Sequence, residues 1–143
     1  MQQLFRRFGA LATDSTPCGK PLPLSYAHAL MILLDVGDLS QQSLGRELGI
    51  DKSNVARLCA RMVEAGHATQ RPCEVDRRSR RVTLTERGRR LAREVDASSG
   101  RRFTALLEAI PPAQRETVLA GLALLLEGAS ALPDPSDVEA SPP

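Results

Sequence analysis

The 143-residue sequence predicts a mainly α-helical fold carrying one small β element, and three observations predict it. Apolar residues recur at helical spacing through most of the chain. Two short helical segments in its first half are each ended by a glycine, Gly49 and Gly66. Beyond them, Arg80 to Leu84 alternates polar and apolar side chains, as a strand does.

Taken in order, residues 2–13 set Leu4, Phe5, Phe8, Leu11 and Ala12 on one side of a helix. The stretch TDSTPCGKPLP, with its three prolines, breaks that helix and makes a loop. Ser25 is suited to cap a second helix, Tyr26 to about Val36, whose Ala27, Leu30, Met31 and Leu34 face a core. Ser40 then caps a short helix over Gln41 to Leu48, and Gly49 ends it. Asp51 caps the next, from Lys52 to about Ala65, ended by Gly66. Two capped helices joined by Leu48-Gly49-Ile50 are a helix-turn-helix arrangement.

In the second of these helices Val55, Leu58, Cys59 and Met62 share one face, leaving Lys52, Ser53, Asn54, Arg57 and Arg61 outside. A helix that reads DNA needs that division, because its first turns meet the base edges of the major groove. Arg57 can pair with guanine and Asn54 with adenine, while Lys52, Ser53 and Arg61 suit phosphates. A solvated helix face is the plainer alternative. His67 to Arg71 and Arg80 to Leu84 form two short strands around the polar turn Pro72 to Ser79, and Thr85 is suited to cap a further helix. An Arg-rich hairpin directly after such a helix is a wing, so the expectation becomes a winged helix-turn-helix.

From Thr85 a long helix runs toward Ile110, with Leu91, Val95, Phe103, Leu106 and Ile110 on one side and Gly100 weakening its middle. Pro111-Pro112 stops it and opens a last helix to about Leu132. That helix bears Val118, Leu119, Leu122, Leu125, Leu126 and Ala129, more apolar surface than a small domain covers alone. The domain expectation is residues 25–98 as the winged DNA-binding part, with its wing at about 68–84. Residues 1–24 and 99–132 supply dimerisation helices, and the Pro-rich acidic stretch 133–143 is a disordered tail.

Charge agrees with this layout. Residues 1–50 carry four basic and four acidic side chains, and residues 51–93 carry twelve basic against five acidic, a net +7. Residues 94–143 carry three against eight, a net −5. A positive block between neutral and acidic segments is the pattern of a nucleic-acid footprint. No apolar run approaches ~18 residues, so no membrane span is expected, and the N-terminus lacks a secretory pattern. The three cysteines, Cys18, Cys59 and Cys73, suit reduced thiols in a cytoplasm; Cys59 falls on a buried face and Cys73 is expected at the surface. With no phosphate-binding glycine loop, metal cluster or Ser–His–acid arrangement, the chain does not read as an enzyme, and no cofactor is expected.

The run Asp76-Arg77-Arg78-Ser79-Arg80-Arg81-Val82-Thr83-Leu84-Thr85-Glu86-Arg87-Gly88 resembles the wing signature of the MarR family, D-x-R followed by a strand and L-T-x-x-G. The layout from about residue 3 to 132 is similar throughout. The resemblance implies a homodimeric, sequence-specific transcriptional regulator, a repressor by expectation, on double-stranded DNA with a pseudo-palindromic operator. It implies Arg78 in the minor groove, held by Asp76, with Arg77 as the next candidate; Asp76 as an ordinary turn residue is the alternative. It also implies release by a small aromatic or phenolic ligand in a crevice bordered by Tyr26, His28, Ala29 and Ile32. Some relatives sense peroxide through an N-terminal cysteine, which makes Cys18 a possible redox centre, although Tyr26 is the only tyrosine here to assist it. Relatives that sense metals need several histidines, and His28 and His67 are the only two, so no metal site is expected. An architectural DNA-binding protein without an effector is the remaining alternative.

Overall fold

The computed structural model describes residues 15–73 and 79–132, together with residues 3 and 7. The rest of the helix expected over residues 2–13, the wing tip with Asp76, Arg77 and Arg78, and the tail from 133 lie outside the described residues. The chain divides into two compact units, Met1–Arg101 and Arg102–Pro143.

Helix α1 spans Leu24–Val36 and is followed by strand β1, Asp38–Ser40. Helices α2, Gln41–Leu48, and α3, Lys52–Glu64, form the helix-turn-helix, and strands β2, Ala68–Pro72, and β3, Arg80–Leu84, form the wing hairpin. Helix α4, Glu86–Glu108, and helix α5, Pro112–Ser130, complete the order.

Ser25 does not cap α1. Pro23 takes the cap position in an extended conformation, and its carbonyl accepts from the N–H groups of Tyr26 and Ala27, so Ser25 already lies in the first turn. The caps that make the helix-turn-helix are as expected. Ser40 accepts from the Ser43 N–H at 3.0 Å, a bond whose loss costs about 0.5–2 kcal/mol. Gly49 takes a left-handed conformation at φ 61°, open to glycine at little cost, and so turns the chain toward α3. Asp51 accepts from the Asn54 N–H at 2.8 Å.

Strand β1 is not expected from the sequence; three residues are too short to show an alternation. It pairs antiparallel with β3, which pairs antiparallel with β2, giving the order β1-β3-β2. Val82 and Leu84 of β3 point inward and join Leu30, Leu33, Leu44, Val55, Met62 and Val95 in the core. Side chains as fully buried as Leu30 and Leu44 contribute about 1.5–3 kcal/mol each.

The segment after β3 explains the L-T-x-x-G pattern physically. Leu84 is buried, and the Thr85 hydroxyl donates to the Gly66 carbonyl at 2.7 Å and accepts from the Gly88 N–H at 3.0 Å. The Thr85 N–H donates to the His67 carbonyl at 3.0 Å. Gly88 is where α4 crosses that carbonyl, with no room for a side chain between them. Helix α4 runs unbroken through Gly100.

In the second unit, Arg115 donates to the carbonyls of Ile110 and Glu108 at 3.0 and 3.1 Å, satisfying the end of α4. Helix α5 has no buried residue, and Leu119, Leu125 and Leu126 are 45, 57 and 69% exposed.

Candidate nucleic-acid interface

The buried stripe of α3 is Val55, Leu58, Cys59 and Met62, as its spacing predicts, which turns Lys52, Ser53, Asn54, Arg57 and Arg61 to the exposed side. The first turns of that side are organised internally. Asp51, besides capping the helix, accepts from the side-chain amide of Asn54; the Asn54 carbonyl oxygen in turn accepts from Arg57 Nη2 at 2.5 Å. The Asn54 N–H holds the Asp51 carboxyl below the usual carboxylate range, more than offsetting its slight desolvation, so it is ionised at neutral pH. Arg61, further along the helix, lies close enough to Tyr26 to act on it electrostatically.

Beside the start of α3 is an open cleft of about 660 Å³. Its walls come from α2, the start of α3 and the base of the wing, and include Gln41, Arg46, Lys52, Ala56, Gln70 and Arg80. The Gln70 amide donates to the Gln41 side-chain oxygen at 2.9 Å, tying the wing to α2 across it. Three cations therefore border one concave strip. Sequence reasoning names Lys52 but misses Arg46, Gln70 and Arg80, which converge only through folding.

It also misses Asp38. Its Oδ2 accepts from Arg71 Nη2 at 2.6 Å and Arg81 Nε at 2.9 Å, and its backbone carbonyl accepts from Arg81 Nη2 at 3.0 Å. Burial raises the Asp38 pKa, but the two guanidiniums outweigh it and hold the carboxyl below its usual range. Arg71 and Arg81 face each other directly in the β2–β3 register, so one carboxylate relieves a like-charge pair just below the wing tip.

The residues expected to border an effector crevice all lie on α1 and differ in exposure. Tyr26 and Ala29 are in the core, Ile32 is half-buried and His28 is exposed. The Tyr26 hydroxyl and His67 Nδ1 are 2.7 Å apart. Burial raises the Tyr26 pKa, with Arg61 and Arg87 opposing, and burial followed by the Arg87 charge lowers that of His67.

Cys18 lies in a turn closed by Thr16 and Lys20, its sulfur 2.9 Å from the Thr16 hydroxyl. Desolvation works against its ionisation, but hydrogen bonds from Thr16, Ser99 and the Lys20 backbone prevail and hold the thiol below its usual range. Lys20 pairs with Glu94 of α4 at 3.1 Å. Cys59 is fully buried and its thiol is pushed up to about 11. Cys73 is half-buried rather than exposed, and its N–H donates to the Ser79 carbonyl at 2.9 Å across the hairpin. Among the described residues no group of three or more His, Cys, Asp or Glu could hold a metal ion, and no helix is long and apolar enough to cross a membrane.

Comparison with known proteins places this arrangement. Residues 20–79 match the family model described as MarR family. A curated relative from Bacillus subtilis, the uncharacterized HTH-type transcriptional regulator YfiV, is 29% identical over 104 residues. That match takes in 73% of this chain, which spans 65% of the relative's length. The crystal structure of a MarR transcriptional regulator from Methanosarcina mazei Go1 is similar at 25% identity, with a TM-score of 0.68 over 88% of this chain and 84% of that one. Streptococcus pneumoniae FabT, solved in complex with DNA, shares the fold at 16% identity, with a TM-score of 0.70 over 92% of this chain and 87% of that one. The capped helix-turn-helix and the three-stranded wing sheet are in keeping with these matches, and over residues 20–79 the chain is similar to the MarR family.

Proposed function

We propose that the chain is a sequence-specific DNA-binding transcriptional regulator, acting in the cytoplasm as a homodimeric repressor of a pseudo-palindromic operator. One observation carries the reading. The exposed start of α3, with Lys52, Ser53, Asn54 and Arg57, adjoins the cleft bordered by Arg46, Lys52 and Arg80. A DNA backbone passing between a major-groove helix and a wing meets cations along such a strip. Arg57 then reads a base edge while Lys52, Ser53 and Arg61 fix the register on phosphates, and Arg77 and Arg78 follow the wing into the minor groove with Asp76 as their brace. DNA is the ligand of FabT in its solved complex, and carrying that partner to this chain is part of the proposal. No step of this role is catalytic.

Self-association is supported by α5, whose Leu119, Leu122, Leu125 and Leu126 are exposed, beyond what soluble monomers present. The test is selection of duplexes from a randomised library. A two-fold symmetric motif with half-site centres about 10 bp apart is expected, and an asymmetric motif or none would defeat the reading.

Release by a small aromatic or phenolic acid near Tyr26, His28, Ala29 and Ile32 rests on the family resemblance. A second reading, thiol-based release through Cys18, is favoured by one observation: the thiol is held below its usual pKa in a turn that Lys20 ties to α4. Wild type and Cys18→Ser, each bound to operator, are titrated with hydroperoxide and separately with aromatic acids. Peroxide release that Cys18→Ser abolishes supports the thiol; release of both proteins by the acid supports the ligand. Indifference to both supports an architectural protein without an effector.

A further inference from the structure

We infer that Asn54 does not read a base itself but positions Arg57 for the base that Arg57 reads. The inference rests on the DNA-binding function and assigns its specificity to one side chain held by two others. Asp51, Asn54 and Arg57 succeed one another at i, i+3 and i+6, so they form a single row along the exposed side of α3. The row is fixed from its N-terminal end. The Asp51 carboxylate receives the Asn54 backbone N–H on one oxygen and the Asn54 side-chain amide on the other. That second bond decides which way the carboxamide faces: nitrogen toward Asp51, oxygen toward the next turn. The oxygen then receives Arg57 Nη2 at 2.5 Å.

Recognition of adenine by an asparagine needs its amide nitrogen and its oxygen turned together onto one base edge. Here the two point along the helix in opposite directions, and turning them outward breaks a charge-assisted bond to Asp51 and the bond from Arg57. Arg57 is in the reverse position. A guanidinium has five N–H donors, and the bond to Asn54 uses one of them. The fork keeps a free pair for the O6 and N7 acceptors of guanine. An unheld arginine loses much rotamer freedom on binding; one already fixed by its neighbours loses less, which sharpens its preference for the right base. The ionised Asp51 also polarises the Asn54 amide and so strengthens its hold on Arg57.

The test uses the full chain and a randomised duplex library, with variants Asn54→Ala, Arg57→Ala, Asp51→Ser and the double variant Asn54→Ala/Arg57→Ala. Arg57→Ala is expected to lose preference at one base pair per half-site and to weaken binding of the selected duplex about tenfold or more. Asn54→Ala loses preference at that same base pair and at no other. The double variant binds within about twofold of Arg57→Ala alone, because both changes remove one interaction. Asp51→Ser keeps a helix cap but lacks the second oxygen, so it relaxes the same base pair partially while its melting temperature stays near wild type. Loss of preference at a second base pair in Asn54→Ala, or losses that multiply in the double variant, overturns the role. So does a uniform loss over all sequences with a lowered melting temperature, which is the signature of a damaged helix. A wild-type chain without base preference removes the DNA-reading function and this role together, and is distinguished from the other failures by the wild-type profile alone.

Discussion

A Cβ added to Gly88 would stand 1.9 Å from the carbonyl oxygen of His67. The start of α4 is thus seated on the backbone where α3 gives way to β2. Gly88→Ala must push these elements apart, and overpacking of this kind costs about 1–3 kcal/mol. Gly100→Ala, in the same helix with nothing within 4 Å of the added carbon, should stabilise by about 0.5–1 kcal/mol. Thermal unfolding of the two variants should therefore move in opposite directions. A Gly88→Ala protein as stable as wild type would show that the crossing yields without cost.

Asp38→Asn tests the wing base. Without its carboxylate, Arg71 and Arg81 face each other as like charges, and the hairpin should splay. Trypsin should then cut in the 73–79 region faster than in wild type, with cleavage elsewhere little changed. Arg71→Gln in the Asp38→Asn background removes the repulsion and should restore wild-type resistance. If it does not, the pairing of Arg71 with Asp38 has no structural weight.

His67 sets an expected pH dependence. Its folded pKa lies below the ordinary value because burial and Arg87 disfavour the imidazolium, so the unfolded chain binds the proton more readily. The stability it contributes is complete above the unfolded value of about 6.5 and is lost as pH falls through the folded one. Urea unfolding measured from pH 7 downward should show a declining midpoint that His67→Gln flattens. Asp38, also depressed in the folded state, acts in the same sense at lower pH, near its ordinary 3.8 and below.

The thiols should separate by reactivity. Alkylation depends on thiolate, which burial suppresses in Cys59 and hydrogen bonds favour in Cys18. Iodoacetamide applied to native protein at about pH 8, with mass mapping of the products, should label Cys18 well before Cys59. Equal labelling would mean that α3 opens on the timescale of the reaction.

These features differ in how far the sequence announces them. Ser40, Gly49 and Asp51 act on backbone within three or four residues of themselves, and a local rule finds them. Ser25 obeys the same rule and fails because Pro23, two residues earlier, starts the helix first. The outward row on α3 comes directly from its period. Asp38 is a different matter, since its partners are 33 and 43 residues away and nothing in a short window ties an aspartate after a glycine to two arginines of a later hairpin. The bond between the Tyr26 hydroxyl and His67, 41 residues on, likewise has no local signal. The cleft at the base of α3 combines three elements and has no sequence signal of its own.

The strand order has a consequence for synthesis. Strands β1 and β2 are not paired with each other; each pairs only with β3, which leaves the ribosome last of the three. Until Leu84 has emerged, β1 and β2 are both open edges, and the places of Val82 and Leu84 in the core are vacant. A nascent chain that has already formed its helix-turn-helix therefore carries two sticky ribbons and an unfilled interior. One five-residue stretch pairs an edge of each ribbon and fills that interior, so a ribosome stalled in the wing would hold out a product prone to aggregate.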